Sequence, residues 1–260
     1  MLYSPEEQIQ GMGAGSAVAR RYWIGTSGWV YQHWSGIFYP ADLKQKGWFD
    51  YYAGHFQTVE INNTFYRLPK ESTWGKWQEQ APQGFRYAVK GNRFITHIKR
   101  IRNVEEPIET LMGRARLLGE SLGPVLWQLP PQMKVNVDRL REFLSLLPRD
   151  VRHVFEFRHE SWFDDEVFFT LRMHNVGFCA YHMVDWETPL EATTDFAYVR
   201  FHGADALYGG NYSDELLADW ARRLRDLPED VSEVYCYFNN DAYGYAIENA
   251  KTLERMLASA

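Results

Sequence analysis

The chain has 260 residues, with 34 acidic against 28 basic side chains and a formal net charge of −6. That length suits one domain, since a barrel of alternating strands and helices takes about 250 residues. The acidic balance argues against a general nucleic-acid binder, which needs a basic stripe, and the two cysteines, Cys179 and Cys236, form neither a disulfide framework nor a CxxC metal pattern.

Residues 1–21 include Glu6, Glu7, Gly11, Gly13 and Gly15 and have no apolar core, so they read as a flexible tail rather than a signal peptide or membrane anchor. From Tyr22 onward, short apolar or β-branched runs alternate with longer amphipathic ones. Strands are expected over 22–26, 58–64, 85–90, 124–129, 153–158, 177–182, 196–202 and 233–239. Helices are expected near 48–56, 72–80, 105–120, 137–147, 164–175, 213–226 and 241–258. Capping residues support three of these starts: Asn136 with Asp138, Ser213 with Asp214 and Glu215, and Asp241. The gap 183–195 has room for no more than a turn of helix. Strict alternation indicates parallel βαβ units, and the absence of a Gly-rich fingerprint after the first strand favours closure over an open sheet. The expected fold is α/β, a single (β/α)8 TIM barrel over 22–260. No apolar run is long enough to span a bilayer, and the chain reads as cytoplasmic.

Side chains two apart on a strand share a face, so parity sorts each strand into an apolar side and a polar side. Glu60, Asn62 and Thr64 fall opposite Val59 and Ile61, and Lys90 and Asn92 opposite Val89. Glu156 and Arg158 oppose Phe155 and Phe157, while Arg200 and His202 oppose Val199 and Phe201. Gln128, His182 and Asn239 add to the set near the ends of their strands. The apolar parity suits packing under helices, which leaves the polar parity pointing into the barrel, at the carboxyl end where barrel enzymes build their sites. Mutual neutralisation, as between Glu156 and Arg158, explains any one pair but is a weaker explanation of the whole ring, because buried charges without a purpose cost stability.

Several of these segments resemble the YecE-like family, known as domain of unknown function 72. They include Ile24-Gly25-Thr26-Ser27-Gly28-Trp29 with Tyr31, Trp34, Gly36 and Phe38-Tyr39-Pro40, and the stretch Val59 to Pro69. Others are Val89-Lys90 with Thr96-His97, Gly123-Pro124 with Gln128 to Pro131, Glu156 to His159 with Ser161-Trp162, Arg200 to Gly203, and Phe238 to Asp241. The resemblance covers about 22–258. It implies a TIM barrel and no established activity.

Chemistry is therefore read from the ring. Lys90, Arg158 and Arg200 are expected to bind an anion, the arginines as bidentate clamps, with Asn62, Gln128 and Asn239 orienting the substrate. Glu60 and Glu156 are the expected proton carriers, with His202 as another. The leading reading is an enzyme, most readily a hydrolase, acting by acid–base chemistry on a small or nucleotide-like anionic substrate, with any cofactor unknown. Two carboxylates also admit a glycoside hydrolase, with Trp29, Trp34, Tyr66 and Trp162 stacking on sugar rings. A divalent metal held by Glu60, Glu156, His182, Asp185 and His202 is disfavoured by the neighbouring cations, and no metal ligand set is assigned. No GxSxG elbow is present, and both cysteines sit in apolar runs. Asn239-Asn240-Asp241 and His202-Gly203 are better placed than Gly25 to Gly28 to receive an anion, although Asn240 or Asp241 alone would explain a helix cap. The alternative is a non-catalytic protein that recognises a nucleic acid or protein partner through the basic loop 92–103, with Arg93, Lys99, Arg100 and Arg102.

Overall fold

A computed structural model describes residues 20–205 and 208–258. The tail expected over 1–21 lies outside these residues except for Arg20 and Arg21, and Arg21 begins the first strand.

The strands are β1 Arg21–Thr26, β2 Thr58–Ile61, β3 Arg86–Lys90, β4 Leu122–Gln128, β5 His153–Glu156, β6 Gly177–Met183, β7 Trp186–Glu187, β8 Phe196–Phe201 and β9 Glu233–Phe238. The helices are α1 Trp48–Ala53, α2 Asn63–Tyr66, α3 Glu71–Gln80, α4 Glu105–Ala115, α5 Val137–Ser145, α6 Asp165–Met173, α7 Asp214–Arg225 and α8 Tyr245–Ala258. Hydrogen-bonded pairing runs β1-β9-β8-β6-β5-β4-β3-β2, all parallel along that path. A parallel bridge between Ser27 and Glu60 brings β2 back to β1, so the sheet closes into an eight-stranded barrel. The 183–195 gap holds β7, a two-residue strand that folds back antiparallel on β6.

Parity explains the layering. The outward set, including Ile24, Val59, Ile61, Val89, Val125, Phe155, Val199 and Phe238, is buried in the main core with helix residues such as Leu111, Leu140, Leu171, Trp220 and Leu253. The inward set forms a second core of Trp23, Ala88, Leu126, Val154, Cys179, Phe196, Tyr198, Tyr235 and Tyr237. These aromatics plug the lower and middle barrel, so the polar side chains of the next layer rest on a solid base. Thr58 and Tyr237 hydroxyls meet at 2.6 Å within it.

Two of the three expected caps operate. The Asn136 side chain accepts from Arg139 N, and Ser213 from Leu216 N. Asp241 makes no side-chain cap; α8 starts later, at Tyr245, after a short turn over Ala242–Gly244. The Asp241 carboxylate instead lies 3.5 Å from His33, and its carbonyl accepts from Trp34.

Candidate functional site

The inward polar residues divide into a buried floor and an accessible rim. Arg200 forms the centre of the floor. Its Nη1 donates to Glu156 Oε2 at 2.7 Å and its Nη2 to Glu60 Oε2 at 2.8 Å, which ties strands β8, β5 and β2 across the barrel. Glu60 also accepts from Ser27 Oγ and from Tyr198 OH, both at 2.8 Å. The other oxygen of Glu156 accepts from Arg158 Nε. Glu60, Glu156, Arg200 and His202 are at most 1% exposed. Two guanidiniums, Arg200 of the floor and Arg158 of the rim above it, face two carboxylates, Glu60 and Glu156, so these four side chains balance in charge.

The protonation of this floor is set by its neighbours. Burial would raise the Glu156 carboxyl, but Arg158 and Arg200 outweigh it and hold the group well below the usual carboxylate range. Burial, then Arg200 and Arg158, push the His202 imidazole down to about 3, so it is neutral at pH 7. Arg158 Nη2 lies 2.7 Å from His202 Nε2, and a guanidinium can only donate. Nε2 is therefore the lone-pair nitrogen and Nδ1 carries the proton, 3.1 Å from the Asn239 amide. The Asn239 amide is placed with its Nδ2 toward Nδ1, and this tautomer requires the amide turned so that its oxygen accepts instead.

The rim is half-buried and holds Asn62, Lys90, Gln128, Arg158 and Asn239. Arg158 lies over the Tyr181 ring at 4.4 Å, and among the described residues only the Met183 sulfur lies within hydrogen-bond reach of its Nη1, at 3.6 Å. The Asn62 carbonyl oxygen is buried without a hydrogen-bond partner among the described residues. Neither the Lys90 ammonium nor the Gln128 amide has a hydrogen-bond or ion-pair partner among them. Lys90 sits 4.5 Å from the centre of the Phe65 ring. Burial and then Arg200 lower its pKa to about 8, with Arg158 adding to this and Glu156 and Glu60 opposing it.

Local structure fixes that lysine. Thr64 Oγ1 donates to the Lys90 carbonyl at 2.6 Å, and Asn92 Nδ2 donates to the Thr64 carbonyl at 2.8 Å, clamping α2 to the end of β3. Phe65 is thereby held beside both Lys90 and the His97 ring, the latter at 4.9 Å. Burial, then Lys90 and Arg93, push His97 down to about 4, leaving it neutral. Gly91 follows because a Cβ there would lie 2.6 Å from the Trp127 ring. The chain then runs through a π-helical turn, Phe94–Ile98, into Arg100, Ile101 and Asn103, all with φ between +49° and +57°. Ile101 is β-branched and buried, so packing holds this costly backbone in place.

Parity thus placed Glu60, Lys90, Gln128, Glu156, Arg158, Arg200, His202 and Asn239 at one end of the barrel. His182 departs from it. Cys179 and Tyr181 are the inward residues of β6, and His182 points outward, 3.0 Å from Tyr212 OH and packed on Trp220. Asn62 and Thr64 leave the strand, which ends at Ile61, and Thr64 enters α2. No three His, Cys, Asp or Glu side chains gather as a metal cluster among the described residues. Trp34 and Trp162 are fully buried and Trp29 nearly so, which removes them as stacking platforms; Tyr66 is exposed. Asn240 is also buried, donating to Gly210 O and Asn249 Oδ1. Both cysteine thiols are buried, and burial raises their pKa. Ser27, Tyr198 and His97 join the site although the ring did not include them; Ser27 and His97 lay in segments that carry the family resemblance, and Tyr198 offered an inward parity.

A cleft of about 470 Å³ opens at the opposite, amino-terminal end, lined by Arg86, Arg116 and Arg152 among others. There Arg116 pairs with Asp150, and Arg152 with Glu233 and Asp195. That end of a barrel serves stability. No helix among the described residues is long and apolar enough to cross a membrane.

The profile of the family described as "Protein of unknown function DUF72" matches residues 23–260. The UPF0759 protein YunF of Bacillus subtilis (strain 168) is 27% identical over 269 residues, spanning 90% of this chain and 94% of its own. The UPF0759 protein YecE of Escherichia coli (strain K12) is 32% identical over 113 residues, 43% of this chain and 42% of its own. A crystal structure of a DUF72 family protein from Thermotoga maritima MSB8 superposes with a TM-score of 0.83 at 30% identity, covering 92% of this chain and 100% of that one. A DUF72 family protein from Enterococcus faecalis V583 shares the fold, with a TM-score of 0.78 at 19% identity over 91% and 95% of the two chains.

Proposed function

This chain belongs to the DUF72 family, whose description assigns no activity, and we propose that the carboxyl end of its barrel binds a small anionic molecule and acts on it by acid–base chemistry. One observation carries the reading: the Lys90 ammonium stands half-buried, without a carboxylate partner among the described residues, at an end of the barrel where Arg158 and Arg200 already balance Glu60 and Glu156. A desolvated surplus cation is unfavourable unless something anionic arrives to neutralise it. Arg158 Nη1 and the Gln128 amide offer further donors at the same end of the barrel.

Roles follow depth. Glu60, Glu156, Arg200 and His202 form the scaffold that fixes the field at the mouth. Lys90, Arg158, Gln128, Asn62 and Asn239 meet the ligand. With its pKa near 8, Lys90 exchanges protons near neutrality. Hydrolysis, the reaction class read from the sequence, would draw its proton carrier from Lys90, because the oxygens of Glu156 and Glu60 are taken up by donors within the floor.

The test is a thermal-shift comparison of wild type and Lys90→Met with sulfate, phosphate and a neutral sugar. A ligand at a hundred times its Kd stabilises by about 2.7 kcal/mol. The anions are expected to raise the melting temperature of the wild type alone, and the sugar of neither. Equal shifts in both proteins would defeat the reading.

A second reading has its own support. Arg93, Lys99, Arg100 and Arg102 make no ion pair among the described residues, and Arg139 on α5 adds charge close to Arg102 and Arg100. This rim would steer anions toward the mouth. A nucleic-acid partner would instead bind with a steep salt dependence that Lys90→Met leaves unchanged.

A further inference from the structure

The loop after β3 carries an exposed apolar tip inside its cationic cluster. Phe94 is 40% exposed and Ile98 62%, while Ile95 and Thr96 between them are buried. Phe94 and Ile98 stand about one turn apart in the π-helical stretch, so they share its outer face. The turn is firmly held. Asn92 Oδ1 accepts from Phe94 N at 2.9 Å, Phe94 O from Lys99 N at 2.8 Å, and Ile95 O from Ile101 N at 2.9 Å, with the Ile101 side chain buried. Apolar surface continues from Phe94 into a cleft of about 360 Å³ whose walls include Leu68, Ile95, Pro107 and Leu111, with Glu106 also lining it. Arg93, Lys99, Arg100 and Arg102 surround the tip, all exposed and without ion pairs among the described residues.

We propose that this rim docks on an anionic lipid surface, with Phe94 and Ile98 entering the interface and the four cations meeting the head groups. The proposal goes beyond the anion-site reading and stands independently of it. Cations around a short apolar tip suit shallow interfacial binding, in which the chain lies on a bilayer and does not span it. The chain carries a net charge of −6, so an anionic surface repels it as a whole and a local cationic face must make the contact. A nucleic acid would share the charge complementarity but gains nothing from an exposed Ile98, which offers no π face to a base. Lys99 Nζ already lies 5.6 Å over the Phe94 ring, which occupies a face that a base would need. A fluid lipid interface, by contrast, accepts a protruding tip without a matching pocket.

The test is co-sedimentation of the full chain, at low salt, with vesicles of phosphatidylcholine alone and of phosphatidylcholine mixed with phosphatidylglycerol. Binding to the anionic vesicles only is expected. Each cation at such a surface contributes about fivefold in affinity, so Arg93→Gln combined with Lys99→Gln is expected to weaken binding roughly 25-fold. Ile98→Ser is expected to weaken it about tenfold, through the apolar area no longer removed from water. Both native cysteines are buried, so Ile98→Cys can be labelled selectively with an environment-sensitive dye. Its emission is expected to rise and shift to the blue on anionic vesicles. The same dye at Leu117→Cys, exposed on the segment leading into β4 at the opposite end of the barrel, is expected to stay unchanged. The wild-type comparison of the two vesicles stands even if a variant fails to fold. No sedimentation with anionic vesicles, or sedimentation that Ile98→Ser leaves unchanged, overturns the proposal. So does binding of single-stranded oligonucleotides by a protein whose Ile98→Cys dye ignores vesicles, an outcome that assigns the rim to nucleic acid.

Discussion

Replacing Lys90 with methionine is expected to make the protein more stable at pH 7. Lys90 is half-buried, and burial with Arg200 and Arg158 depresses its ammonium from an ordinary 10.4 to about 8. The folded chain therefore binds fewer protons at this site than the unfolded chain between about pH 8 and pH 10.4. Stability rises with pH through that window, and the full penalty is present below about pH 8. At 1.36 kcal/mol per pKa unit the whole shift is worth about 3 kcal/mol, and solvent at the open mouth reduces this to about 1–2 kcal/mol. Methionine keeps the length and the contact with Phe65 while removing the charge. For a domain of this size each kcal/mol moves Tm by roughly 2–4 °C, so a rise of about 2–8 °C is expected. Urea melts of wild type and variant, at pH 7 and again above pH 10, provide the assay. The difference between the proteins cancels the titration of the buried tyrosines, and the gain is expected to vanish at the higher pH. A variant less stable than wild type at pH 7, or a gain independent of pH, would show that Lys90 is a structural residue and refute the reasoning.

Other expectations concern the floor. Glu156→Gln leaves the buried Arg200 and Arg158 without full compensation and is expected to cost about 3–5 kcal/mol in urea denaturation, against under 1 kcal/mol if the cluster is loosely held. The Glu156 carboxyl lies low in the folded chain, so the stability it contributes is present above the ordinary carboxylate pKa and is lost as pH falls below it. Imidazole NMR titration is expected to show His202 and His97 neutral from pH 5.5 to 8, and a midpoint near 6.5 for either would contradict the account of their surroundings. Ligand binding should accordingly show no ionisation near 6.5.

The barrel was legible because its strand patterns are short, apolar and strictly alternating, and because helices end at ordinary caps such as Asn136 and Ser213. Parity also brought Glu60, Glu156, Arg200 and Asn239 to one end. It failed at His182, where Cys179 and Tyr181 face inward and the polar residue packs under α7. Parity gives direction and says nothing of depth. Whether Arg200 clamps a ligand or two glutamates depends on partners 140 and 44 residues away in the chain. A sequence read locally treats Arg158 and Arg200 alike, yet one reaches the mouth and the other is sealed. His97 escaped the strand reading because it lies in the π-helical turn after β3 and reaches the site by way of Phe65.

The most direct measurement is an NMR titration of the Lys90 side chain, assigned with Lys90→Met, with and without saturating sulfate, an anion that does not itself titrate in this range. A midpoint near 8 in the free protein, moving upward with sulfate, is the expected result. A midpoint near 10.4 that ignores sulfate would contradict the placement of a surplus, ligand-seeking cation at the mouth of this barrel.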